Sequence, residues 1–119
     1  MKLKSQTQQF NDGIANIYTV GNIAQAGNMP KEGLTLKVDS LRYEEKTVGM
    51  SRFWAASQEQ TKIARLLRLP RIEFIDRADV VIPIDGKQYK IVQVQYPPDT
   101  EPQCMDLSLE RLEVAYEVG

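Results

Sequence analysis

The stretch "DVVIPIDGKQYKIVQVQ", residues 79–95, constrains the fold more than any other. Two β-rich runs flank Asp85-Gly86, and that dipeptide supplies the positive φ angles that a tight hairpin turn needs. Pro83 cannot donate to a ladder, so its strand is expected at an edge or with that position facing outward. An antiparallel hairpin here commits its neighbours to a β architecture. The rest of the chain agrees. "GIANIYTV", 13–20, is short and β-branched. "LTLKVDSLRYEE", 34–45, alternates, but its phase slips near Asp39-Ser40, as at a bulge or a break between strands. "LSLERLEVAYEV", 107–118, reads as one long final strand with a bulge near Glu110-Arg111, where the apolar phase changes.

Between these runs lie turn signals. "GNIAQAGNMPKEG", 21–33, holds three glycines, two asparagines and a proline and reads as a long loop, a type of segment that is often functional. "YPPDTEPQCMD", 96–106, is a polar, proline-rich connector. These elements predict a mainly β fold, a small antiparallel barrel or sandwich with one short α-helix and a long flexible loop, in a single domain over 1–119 whose first twelve residues form a flexible arm.

The stretch "TVGMSRFWAASQEQTKIARLLRLPR", 47–71, resists this reading. Ser51 can cap a helix, and "SRFWAASQEQ" contains good helix formers. Phe53 and Trp54 are then packing residues, since an aromatic pair in a small domain is usually buried structure. From Lys62 onward the period does not choose: Ile63, Leu66 and Leu67 fit a helix face, whereas Ile63, Leu67 and Leu69 fit a strand.

Chemistry is limited by what is missing. The chain has no histidine and one cysteine, which removes Ser-His and Cys-His nucleophile pairs, histidine metal sites and thiolate zinc clusters. No glycine-rich phosphate loop is present, because "GNIAQAG" lacks the following Lys-Ser/Thr. Asp39 with Glu44-Glu45-Lys46 has the residue types of a magnesium-dependent nuclease, but the spacing is short and a solvated strand end is the plainer reading. The expectation is a non-enzymatic protein without cofactor or metal. Cys104, in the polar connector, reads as a surface thiol in a reducing compartment. There is no apolar leader at the N-terminus and no run of membrane-spanning length.

The net charge of −1 argues against bulk binding to nucleic acid. Its distribution is uneven. Residues 60–77 carry Lys62, Arg65, Arg68, Arg71 and Arg77 against Glu73 and Asp76; residues 99–119 carry six acids, Glu110 and Glu113 among them, against Arg111. Such a split can pair one copy with the next, which makes Arg65, Arg68, Arg71, Glu110 and Glu113 candidate interface residues; solvated strand faces are the plainer alternative. The basic residues do not interleave with aromatics, as a single-strand binding platform requires.

The order of elements resembles the head closure, or head–tail adaptor, proteins of long-tailed bacteriophages. The resemblance rests on an early strand followed by a loop, on "VGMSRFWAASQ" as an aromatic-bearing short helix, on "DGKQYKIVQVQ" as a glycine-turn hairpin, and on "DLSLERLEV" as a closing strand. It implies a helix over about 51–60 and a strand over about 62–69, ended by Pro70. It also implies a structural virion protein of the neck, assembled in the host cytoplasm. Copies form a ring with themselves, commonly dodecameric, below the portal or adaptor. That ring closes the DNA-filled head and docks the tail or its completion protein, away from any membrane. The loop, with Asn22, Ile23, Gln25, Asn28 and Met29, narrows a channel that can hold the packaged double-stranded DNA. Tail terminators and minor capsid proteins share this size and β-rich character and are the alternative within the same connector; a small β-barrel nucleic-acid-binding protein is the alternative outside it.

Overall fold

The computed structural model describes residues 6–7, 10–47 and 63–119. They form nine strands: β1 (Gln6–Thr7), β2 (Gly13–Asn22), β3 (Glu32–Lys46), β4 (Arg65–Pro70), β5 (Val80–Ile82), β6 (Tyr89–Gln95), β7 (Thr100–Glu101), β8 (Cys104–Arg111) and β9 (Glu117–Val118). None of the described residues is helical, and the helix expected over 51–60, with Phe53 and Trp54, lies outside them. β1 and β7 make a small parallel pair. The other seven strands form one sheet, ordered β2-β5-β6-β8-β4-β3-β9 and antiparallel except where β9 joins β3.

This sheet coils on itself. β2 pairs with β3 along most of its length and also with β5, at Asn16–Tyr18. β5 meets β6 at two positions and β3 meets β4 at three, Glu44–Lys46. Ladders this short bring the sheet round a single core without the uniformly long staves of a closed barrel, so the barrel or sandwich expected from the sequence is replaced by one strongly coiled sheet. Bulges supply the bend. β3 carries extra residues against β2 between Val38 and Leu41, where Ser40 takes a φ of 58°, and the ladder slips again between Val38 and Leu36. The phase slip at Asp39-Ser40 is therefore a bulge within one strand. β6 has a second irregularity, between Ile91 and Gln93.

The inner face takes alternate residues from each main strand: Ala15 and Ile17 from β2, Tyr43 from β3, Leu67 and Leu69 from β4, Val81 from β5, Tyr89 and Ile91 from β6, and Met105, Leu107 and Leu109 from β8. Each buried leucine contributes about 1.5–3 kcal/mol relative to exposure. β8 lies between β4 and β6 and is buried on both faces, Asp106 and Ser108 included. Its first residue, Cys104, is 1% exposed. The surface thiol expected in a polar connector is therefore a strand residue, and burial pushes its pKa up.

Several boundaries differ from the sequence reading. The final strand stops at Arg111 rather than running to 118; Leu112 turns out of the ladder, Val114 is exposed, and the chain returns as β9 on the edge of β3. The β5–β6 connection is longer than a two-residue hairpin. Only Gly86 takes positive φ (76°), and its N–H donates to Pro83 O, so Pro83 begins a turn outside the ladder. Asp85 contributes its carboxylate instead of its backbone conformation. Strand over the disputed stretch agrees with Arg65–Pro70, with Pro70 as its last residue. The N-terminal arm is tied at two places: Gln6–Thr7 pairs with Thr100–Glu101, and Asp12 bonds Tyr43 O and the N–H of Glu45.

Candidate functional site

Two regions carry the residues that the sequence singled out. The first is the tip of the β2–β3 hairpin. The strands absorb Gly21, Asn22, Glu32 and Gly33, which pair directly, so the connection is residues 23–31. The tip has internal order: Ile23 N–H donates to Lys31 O, and Asn28 N–H to Gln25 O. The Asn22 carboxamide oxygen accepts from Ala24 N–H and Lys31 N–H, closing the base of the turn. Gly27 takes a φ of 87°, a conformation that glycine adopts without strain. Ile23 is half-buried, Gln25 and Asn28 are exposed, and Met29, 87% exposed, is the most exposed large hydrophobic residue among those described. An open hollow of about 360 Å³ lies at the base, lined by Val20, Gly21, Asn22, Pro30, Lys31 and Glu32. The hairpin outruns β5, which covers β2 only at Asn16–Tyr18, while β9 lies beside β3 at Gly33–Leu34.

The second region is the set of candidate interface charges, and here the structure gives most of them partners within the subunit. Arg65 lies on the inner face of β4 at one end of the core, in phase with Leu67 and Leu69. Its Nε and Nη2 donate to Glu45 at 2.9 and 2.6 Å, Nη1 to Asp85 at 3.2 Å and Nη2 to Tyr43 Oη at 3.4 Å. The guanidinium sits 5.7 Å from both the Tyr43 and Tyr89 ring centres. The Glu45 bond raises its pKa further, against burial. Asp85 also accepts from Lys87 N–H and Tyr89 Oη. Burial pushes the Asp85 carboxyl up, but these bonds and Arg65 outweigh it and hold the pKa below its ordinary value. The Tyr89 hydroxyl is pushed up, by burial and then by Asp85. The cluster ties β3, β4 and the β5–β6 turn together and presents no free nucleophile.

Arg68 faces the other way and meets Asp106 on β8 through two bonds of 2.7 and 3.0 Å. Arg71 stacks on Tyr96, 4.3 Å from the ring centre, and approaches Glu73. Glu110 pairs with Lys90 at 3.5 Å, and Glu113 is exposed. The basic and acidic segments thus touch at Arg68–Asp106, whereas Arg65, Arg71 and Glu110 take partners from elsewhere in the subunit. Sequence reasoning missed Tyr43, Glu45, Asp85 and Tyr89, whose proximity depends on the coiling of the sheet and has no local signature. The nuclease-like set disperses: Asp39 bonds Ser40, Glu44 pairs with Lys46, and Glu45 belongs to Arg65. Among the described residues no group of three acidic or cysteine side chains is placed to hold a metal. No protein-family model matches the chain, and no curated protein matches it.

Proposed function

We propose that the protein is a structural component of a bacteriophage neck, forming a ring below the portal that closes the DNA-filled head and docks the tail. The reading starts from the resemblance of the "VGMSRFWAASQ", "DGKQYKIVQVQ" and "DLSLERLEV" phrases to head closure proteins. The observation that carries it further is the long β2–β3 hairpin, whose tip exposes Met29 beyond the coiled sheet. A stiff two-stranded finger on a rigid β body can reach into a channel or a neighbour, and a ring requires unlike faces that meet head to tail. The Arg65 and Arg68 networks support reading those strand faces as scaffold, and the hairpin and sheet edges as the surfaces left for assembly.

Deletion of the gene from a phage that carries it is the direct test. Filled heads that lose their genome, alongside unattached tails, are expected. Normal virions lacking the protein overturn the reading.

A further inference from the structure

After Arg111 the chain does not simply end the sheet; it crosses to the hairpin. Leu112 N–H donates to Gln88 O at 3.0 Å. The Gln88 carboxamide then holds Tyr116 from both sides, Nε2 donating to Tyr116 O and Oε1 accepting from Tyr116 N–H, each at 2.8 Å. From there the segment reaches the root of the hairpin. Glu117 forms an ion pair with Lys31, β9 lies parallel to Gly33–Leu34, and Gly119 N–H donates to Leu34 O at 2.8 Å. Burial raises the pKa of the Tyr116 hydroxyl, and the neighbouring Glu32 adds to the rise.

The closing contact is Ile23, the first residue of the tip. A Cβ on Gly33 would overlap Ile23 and sit 2.7 Å from Glu117 O; one on Gly119 would come within 2.9 Å of the Ile23 side chain. Ile23 is therefore clasped between two glycines, one on β3 and one on the crossing segment. Gly21, directly opposite Gly33 in the ladder, has nothing within 4 Å of its Cβ position. The close approach is thus confined to the side of the hairpin that the crossing segment covers.

We infer that residues 112–119 are a strap, anchored at Gln88 and clasping Ile23, that braces the β2–β3 hairpin and couples the position of its tip to the β6 end of the sheet. The inference rests on this geometry and not on the neck reading. β9 holds β3 through only two paired positions and lies at the end of the sheet order, so the strap is expected to open at a lower free energy than the core strands. By linkage, a partner that fixes the tip also retains the strap, and one that removes the strap loosens the tip to the same free-energy extent.

Backbone amide exchange followed by NMR tests the coupling on the full chain. Gln88→Leu removes both bonds to Tyr116 without touching the hairpin. Exchange at Gly119, and also at Ile23 and Lys31, is expected to rise about tenfold or more, while Leu107 and Leu109 in β8 stay protected as in the parent. Gly33→Ala, which wedges the clasp directly, is expected to do the same, and Gly21→Ala to change nothing. If Gln88→Leu frees Gly119 but leaves Ile23 and Lys31 protected, the strap is not a brace and the inference fails. It fails equally if Gly119 remains as protected as in the parent.

Discussion

Replacing Arg68 by methionine should destabilise the fold before it affects any assembly. The guanidinium and the Asp106 carboxylate have side-chain exposures of 11% and 9%, and they share two bonds between adjacent strands. An exposed pair of this kind contributes about 0–1 kcal/mol. At this burial the single substitution leaves Asp106 charged and desolvated with its main partner gone, which costs about 3–5 kcal/mol. A chain of 119 residues has about 6–18 kcal/mol of total stability. The loss is therefore a large fraction of the whole, worth about 10 °C or more in melting temperature. Urea denaturation followed by circular dichroism measures it. The double variant Arg68→Met with Asp106→Leu removes both charges and should recover most of the loss, because two apolar side chains of similar volume need no counter-ion. If Arg68→Met alone unfolds at the parental urea midpoint, the pair is not holding β4 to β8. If the double variant is no better than the single one, an unpaired charge is not the cause of the loss.

Three further outcomes follow from the same geometry. Because Asp85 has its pKa lowered in the folded state, its contribution is present above the ordinary carboxyl value of 3.8 and is lost as the pH falls through the folded value; acid titration of stability should therefore be shallower in Asp85→Asn than in the parent. Gly13→Ala should cost about 1–3 kcal/mol in a thermal melt, since the new Cβ would lie 2.5 Å from Oη of the fully buried Tyr43. Replacing residues 24–30 by a Gly-Ser linker should preserve the fold, as judged by β8 amide protection; under the proposed neck role, heads built with it should leak DNA, and retention equal to the parent would exclude the tip as a gate.

Much of the fold was legible because strands announce themselves by alternation. The slip at Asp39-Ser40 marked a true bulge, and Val80–Ile82 with Tyr89–Gln95 formed the expected antiparallel pair. The errors came where one local signal has two physical origins. Asp85-Gly86 suggested two positive φ angles, but only Gly86 takes one; the aspartate contributes its carboxylate, which accepts from Lys87 N–H, Tyr89 Oη and Arg65 Nη1. The apolar residues 112–118 resume the alternation of β8 in the opposite phase and so read as one strand with a bulge near Glu110-Arg111; in fact Leu112 bonds Gln88 and the segment departs to another edge of the sheet. A proline-rich stretch before Cys104 made the thiol look exposed, although it begins a strand that the coil of the sheet buries on both faces.

The candidate interface charges illustrate why a charge split along a sequence is a poor guide to a charge split in space. A basic stretch at 60–77 and an acidic one at 99–119 suggest two faces that attract a second copy. β4 and β8, however, are antiparallel neighbours, with Arg68 directly opposite Asp106 and Arg65 opposite Leu109. Opposite charges facing each other across a ladder stabilise it, and like charges there are destabilising, so complementary strands tend to acquire complementary signs. At Arg68 and Asp106 the opposite charges are therefore paired within the subunit. Reversing Arg65 and Arg68 to glutamate would set Arg68→Glu against Asp106 and Arg65→Glu against Glu45 and Asp85, a folding defect that no assembly assay could distinguish from a broken interface. If copies assemble as proposed, the residues to vary are exposed Glu113 and the hairpin tip around Met29, for which no ion pair is seen among the described residues, and the open sheet edges.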